Sequence, residues 1–169
     1  MLHTANGLPV HPLVAHVVAI FVPLTALLAV LVVLWPAARR RVGGASLFLA
    51  AGTLIAIPVT TSAGEWLRQH VMDSEILREH AALGGQLVFW FALLTIAMVV
   101  WWALHTPLFE NETATLSPMV RQSAIAITGA ATLLLAVVST WSVVRIGHSG
   151  AEAVWGGMNC CKMMGMVHC

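Results

Sequence analysis

The groups in this chain best suited to hold a cofactor are its eight histidines and three cysteines. Two histidines open the first long apolar run, in Leu8-Pro9-Val10-His11-Pro12-Leu13-Val14-Ala15-His16. An imidazole entering hydrocarbon loses its hydration and needs a hydrogen bond, a metal or a haem iron in return. Five residues of helix separate two side chains by about 140°, so His11 and His16 do not chelate one ion together. Pro12 suits a first helical turn, which leaves His11 at the water-side rim and makes His16 the inward candidate. His80 is followed by Ala81, Ala82, Gly84 and Gly85, small residues that leave room beside an imidazole. His148 lies in Gly147-His148-Ser149-Gly150-Ala151-Glu152, where the glycines suggest a helix end or a bend. Glu65, next to Trp66, and Glu152 are carboxylates able to accept a ligand histidine's second N–H. For each histidine the plainer alternative is a hydrogen bond to a backbone carbonyl or a neighbouring carboxylate.

A second set lies in the last ten residues. Cys160, Cys161, Met163, Met164, Met166, His168 and Cys169 make a soft-ligand group suited to Cu(I). No CxxC or CxxCH occurs, so neither a zinc knuckle nor a covalently attached haem is indicated. A disulfide from Cys169 to Cys160 or Cys161, or a plain tail, is the alternative.

The elements that must carry these residues are membrane spans. The chain has 169 residues, 59% hydrophobic and 9% charged, with a mean hydropathy of +0.88. A soluble domain carries roughly 25% charged residues. The net charge of +1 offers no basic stripe for nucleic acid. Four charge-free runs, 13–38, 42–64, 81–109 and 122–144, are each long enough for a spanning helix of about 20 residues. Arg39–Arg41, Glu65–His80 and Glu110–Arg121 read as connections, and no internal repeat is evident. Short connections predict an all-α, up-down-up-down four-helix membrane bundle over residues 1–156, followed by a tail at 157–169. The Arg39, Arg40, Arg41 cluster places that end in the cytoplasm and both termini outside. His11, His16, Glu65, Trp66, His80, His148 and Glu152 then converge at the outer end. Helices one and three are diagonal in such a bundle, so His16 and His80 are expected to face each other across a core cofactor. Bis-imidazole ligation of haem b needs that arrangement, with His11 and His148 as alternative ligands and Glu65, Glu152 and Trp66 in support.

Four motifs in the same order resemble the bacterial membrane family catalogued as domain of unknown function 2231. They are the Leu8–His16 stretch, Ser62-Ala63-Gly64-Glu65-Trp66, His80-Ala81-Ala82-Leu83-Gly84, and Gly147–Trp155. The likeness covers residues 8–156. It implies a four-helix membrane domain and, because members occur with Rieske-type iron–sulfur domains, a redox partner of that kind. The family's last motif carries a later histidine where this chain has Gly156-Gly157, and the Cys/Met tail lies outside the pattern.

No nucleophile–base pair is apparent, so an electron carrier is expected rather than an enzyme with its own substrate. The leading expectation is a b-type cytochrome of the cell membrane. A copper-handling protein using the outer histidines and the tail is the second. A cofactor-free accessory subunit of a respiratory complex is the third, and oligomerisation is compatible with all of them.

Overall fold

The computed structural model describes the backbone of residues 4–5, 8–109 and 115–163, and the side chains of 9–109 and 115–156. Thr4–Ala5 and Leu8–Pro9 pair as a two-residue antiparallel ladder just before the first helix. Four helices follow: α1 (His11–Leu34), α2 (Pro36–Arg68), α3 (Glu75–Ala103) and α4 (Pro118–Met163), with a 3-10 turn at Pro107–Phe109 before α4. All four are long and apolar enough to cross a membrane. They form a four-helix bundle in which α1 and α2, and α3 and α4, pack most closely. Looser α1/α4 and α2/α3 contacts close the ring, leaving α1 and α3 diagonal.

The helix boundaries follow local chemistry. Trp35 is extended (φ −122°, ψ 106°), as a residue before proline prefers, and Pro36 opens α2 in its first turn. That single residue is the whole α1–α2 connection. Arg39–Arg41 therefore lie in the first turns of α2 and not in a loop, a correction to the expected boundary. Arg39 reaches back to the carbonyls of Val32 and Val33, each at 3.4 Å, and so satisfies the open end of α1. Arg121 donates to Leu104 O at 2.6 Å and serves the end of α3 in the same way. Ser74 caps α3, accepting from Leu77 N at 3.2 Å. Helix α4 continues through Gly147 and Gly150 without the expected break.

The core has an order that was not expected: an internal repeat. The buried residues of α1 are Val18, Val22, Thr25, Ala26, Ala29 and Val32. Those of α3 are Leu87, Phe91, Leu94, Thr95, Met98 and Trp101, each 69 positions after its counterpart. The same shift takes Leu34, the last residue of α1, to Ala103, the last of α3. On α2 the buried stripe is Gly43, Ser46, Ala50, Thr53, Ile57, Thr60 and Ala63. A shift of 86 positions gives Gly129, Thr132, Ala136, Ser139, Val143, Ile146 and Ser149 on α4, all buried or half-buried. Residues 11–68 and 80–154 are thus two hairpins with one internal plan. The repeat escapes the residue letters because the paired positions share burial but seldom size or identity.

The bundle buries several hydroxyl side chains and exposes many large apolar ones. Its interior holds Ser46, Thr53, Thr132 and Ser139 at no more than 1% exposure, while Phe48 is 83% exposed. Ile20, Ile55, Phe89, Ile96, Ile127 and Leu134 point outward too. Large apolar side chains on the outer surface are compatible with a helix bundle in lipid. Ser46, Thr53 and Thr132 each donate to a carbonyl one turn back in their own helix, which makes a buried hydroxyl tolerable.

Candidate functional site

The repeat carries two imidazoles to the same end of the bundle. His11 opens α1 and its Nδ1–H donates to Thr60 O of α2 at 3.0 Å. His80, in the second turn of α3, donates from Nδ1–H to Ile146 O of α4 at 3.1 Å, with Ser149 Oγ also at 3.1 Å. Ser149 Oγ itself donates to Ile146 O at 3.1 Å. A carbonyl only accepts, so each bond fixes the proton on Nδ1 and leaves the Nε2 lone pair free in the neutral ring. Neither Nε2 has a partner among the described residues.

Each ring rests on a glycine one turn beyond its carbonyl. A Cβ at Gly64 would stand 2.8 Å from His11 Cε1, and one at Gly150 would stand 2.9 Å from His80 Cε1. Real Cβ contacts are not that short, so only glycine admits the imidazole against the helix backbone. The two ring centroids are 6.2 Å apart with planes at 86°.

His11, and not His16, is therefore the residue that faces His80. His16 is exposed on the outer surface of α1, and its Nδ1–H is satisfied by Pro12 O of its own preceding turn. The predicted angular separation of His11 and His16 holds, but the inward member of the pair is reversed. The cause is the helix start: α1 begins at His11 itself, which puts that ring inside the α1–α2 interface over Gly64.

The other expected residues are placed elsewhere. His148 has a side chain 81% exposed, with Nδ1 3.9 Å from Glu152 Oε2. Glu152 is engaged with His148 and does not touch His80. Glu65 pairs with Arg68 at 2.9 Å and 3.1 Å and supports no ligand imidazole. Trp66 stacks on His70 with centroids 4.2 Å apart. The groups that do hold the two imidazoles, the Thr60 and Ile146 carbonyls with Gly64 and Gly150, were not anticipated. No signal in the chain order marks them, because the relation is between a glycine on one helix and a ring on another.

The side chains of Cys160, Cys161, Met163, Met164, Met166, His168 and Cys169 lie outside the described residues; the α4 backbone runs on through Met163. Among the described residues no group of three or more His, Cys, Asp or Glu is placed to hold a metal ion.

The opposite end has its own aromatic cluster. Arg39 lies over the Trp101 ring at 4.4 Å. His105 packs on the same indole at 4.0 Å and donates to Trp101 O at 2.8 Å. Burial holds the His105 pKa below its usual value, and the positive charges of Arg39 and Arg121 act in the same direction. The Trp101 carbonyl opposes them by accepting the Nδ1 proton.

No protein-family model matches the chain, and neither a curated protein nor a solved structure matches it.

Proposed function

We propose that this chain is an up-down-up-down, multi-pass membrane protein that holds a haem between His11 and His80 and passes electrons through it. The observation that carries this reading is the pair of imidazoles, each tied by Nδ1–H to a carbonyl, each with Nε2 unpartnered, at 6.2 Å between centroids. Two imidazoles bound on opposite sides of one metal, at metal–nitrogen distances of about 2 Å, have centroids about 6 Å apart. A carbonyl on Nδ1 holds the ring's tautomer and makes Nε2 a better donor. The two rings come from different hairpins, so a flat ligand held by both would lie along the seam between them, where contact is looser than within each hairpin. Bound there, haem supplies a one-electron couple without substrate chemistry.

The apolar outer surface supports a bilayer setting, and the Arg39–Arg41 cluster favours a cytoplasmic side for its end of the bundle. His11 and His80 then lie at the extracytoplasmic end, within reach of an external redox partner. A Rieske-type protein, as the sequence resemblance suggests, is one such partner.

The test is an absorption spectrum with a metal count on protein purified from haem-supplemented cells. Wild type should show Soret and α bands with one iron per chain. His11→Ala and His80→Ala should each lose the six-coordinate spectrum, and His16→Ala should keep it. Copper at one per chain without those bands would replace haem by a two-coordinate Cu(I) site on the same imidazoles. Neither metal at stoichiometry would leave the accessory-subunit reading.

A further inference from the structure

Any two helices that bury one face can be aligned at some offset, because both follow the same helical period. The repeat found here goes further, since its offsets also relate groups that have no reason to match by packing alone. The α1-to-α3 shift takes His11 to His80 as well as the core stripe. The α2-to-α4 shift takes Thr60, whose carbonyl holds His11, to Ile146, whose carbonyl holds His80. It also takes Gly64 to Gly150, the two glycines on which those rings rest. The donor, acceptor and floor of one seat are thus all mapped onto the other, by the two shifts that the buried core defines independently.

We propose that this chain is a fused duplication of one helical hairpin, and that its site is two copies of one seat. Gly64 and Gly150 are matched positioning residues, and His11 and His80 would be the two imidazoles that hold a single metal centre. The metal clause rests on the haem reading above; the equivalence of the seats does not. Haem iron and Cu(I) share this ligand chemistry, and the two sources are separated below.

The seats differ in one group. Ser149 places a hydroxyl 3.1 Å from His80 Nδ1, whereas its counterpart in the first hairpin is Ala63, which carries none. Exchanging that group is a mild change, and it gives the inference a sharp test. In full-length protein with [15N]histidine, in detergent and without added ligand, both rings should be Nδ1–H tautomers with distinct Nδ1 shifts. The double variant Ala63→Ser/Ser149→Ala should exchange the two shifts between His11 and His80. Shifts that stay where they were, or an Nε2–H tautomer at either ring, would overturn the equivalence.

Titrations of haemin and, separately, of Cu(I) then read the metal clause. Gly64→Ala and Gly150→Ala should each weaken the binding probe by about tenfold, and by amounts within about twofold of one another. Gly44→Ala and Gly85→Ala, whose added methyl meets nothing within 4 Å, should bind as wild type. A large loss at one glycine with none at the other overturns matched positioning, even where both probes bind. Shift exchange with neither probe binding keeps the duplication and removes the metal centre.

Discussion

The two ends of the bundle use the same backbone device to opposite effect. At one end Gly64 of α2 and Gly150 of α4 receive His11 and His80, one ring from each hairpin. At the other end Gly43 of α2 and Gly129 of α4, related by the same shift, receive Trp102 and Trp101, both from α3. The counterpart of Trp101 in α1 is Val32, which is too short to cover Gly43. Trp102 crosses from the neighbouring helix to do so, with its Cδ1 3.2 Å from where a Cβ would stand. A small cavity remains there among Ala29, Val32, Gly43 and Ser46, beside Trp102. The two glycine pairs are related by one shift, but the rings that cover them are equivalent only at the histidine end. The lesson is that the glycines are structural sockets, and that function is set by what occupies them.

Filling the sockets is the most severe way to break this comparison. Gly64→Val or Gly150→Val drives a branched side chain into an imidazole already at contact distance, so the paired rings cannot both keep their carbonyls. Loss of the ligated spectrum, with helical content retained by circular dichroism, is the expected result. Gly129→Val at the Trp end should instead lower thermal stability and leave the spectrum of the surviving protein unchanged. A spectrum lost equally from both ends would mean that the glycines support packing alone.

The second effect belongs to the Trp end. Trp101 is 3% exposed and is held between Arg39 and His105. Trp101→Ala removes a buried indole together with a cation–π contact and should cost about 3 kcal/mol. Chemical denaturation in detergent measures it. On the proposed reading, a haem held by the histidine pair should stay bound at denaturant levels below the transition, because Trp101 and His80 lie at opposite ends of α3.

Much of the fold was legible in the residues. Four apolar runs predicted four helices, and the structure has four helices long and apolar enough to span a membrane. The boundaries failed where tertiary contacts decide them. The Arg39–Arg41 run reads as a loop until Arg39 is seen capping α1 and lying on Trp101. The site was half legible. His80 was identified, but choosing between His11 and His16 required knowing that α1 starts at His11 and that Gly64 lies opposite. Gly64 and Gly150 were noted in motifs without a role, because a glycine's function here is the absence of a Cβ facing a ring on another helix. Chain order alone does not state that relation. Val18 with Leu87, or Ser46 with Thr132, share burial and little else, which is why the repeat surfaced only in three dimensions.

Acid should separate the ends further. His105 lies beyond the last turn of α3, and burial holds its pKa below the usual value of about 6.5. The unfolded chain therefore takes up the proton first as pH falls. The stability this residue contributes is complete above about pH 6.5 and declines as pH drops toward its folded-state pKa. His105→Gln should flatten that part of the stability–pH curve, read from thermal midpoints between pH 7 and 5. An unchanged slope would mean that water reaches the ring and that the Trp end is open.

The smallest expected effect is the most discriminating for the site. Glu65 stands next to Gly64, and its position invites the idea that it orients the His11 ring. Its carboxylate is instead committed to Arg68, with both side chains well exposed, and such pairs add little. Glu65→Gln should leave the absorption spectrum, the midpoint potential and the thermal midpoint unchanged. A shifted potential with an unchanged thermal midpoint would show that a carboxylate, and not the Thr60 carbonyl alone, tunes His11. The two seats would then differ electrically, because the second hairpin has Ala151 at the matching position. An absent effect at Glu65 is therefore what two carbonyl-held imidazoles on matched glycines require.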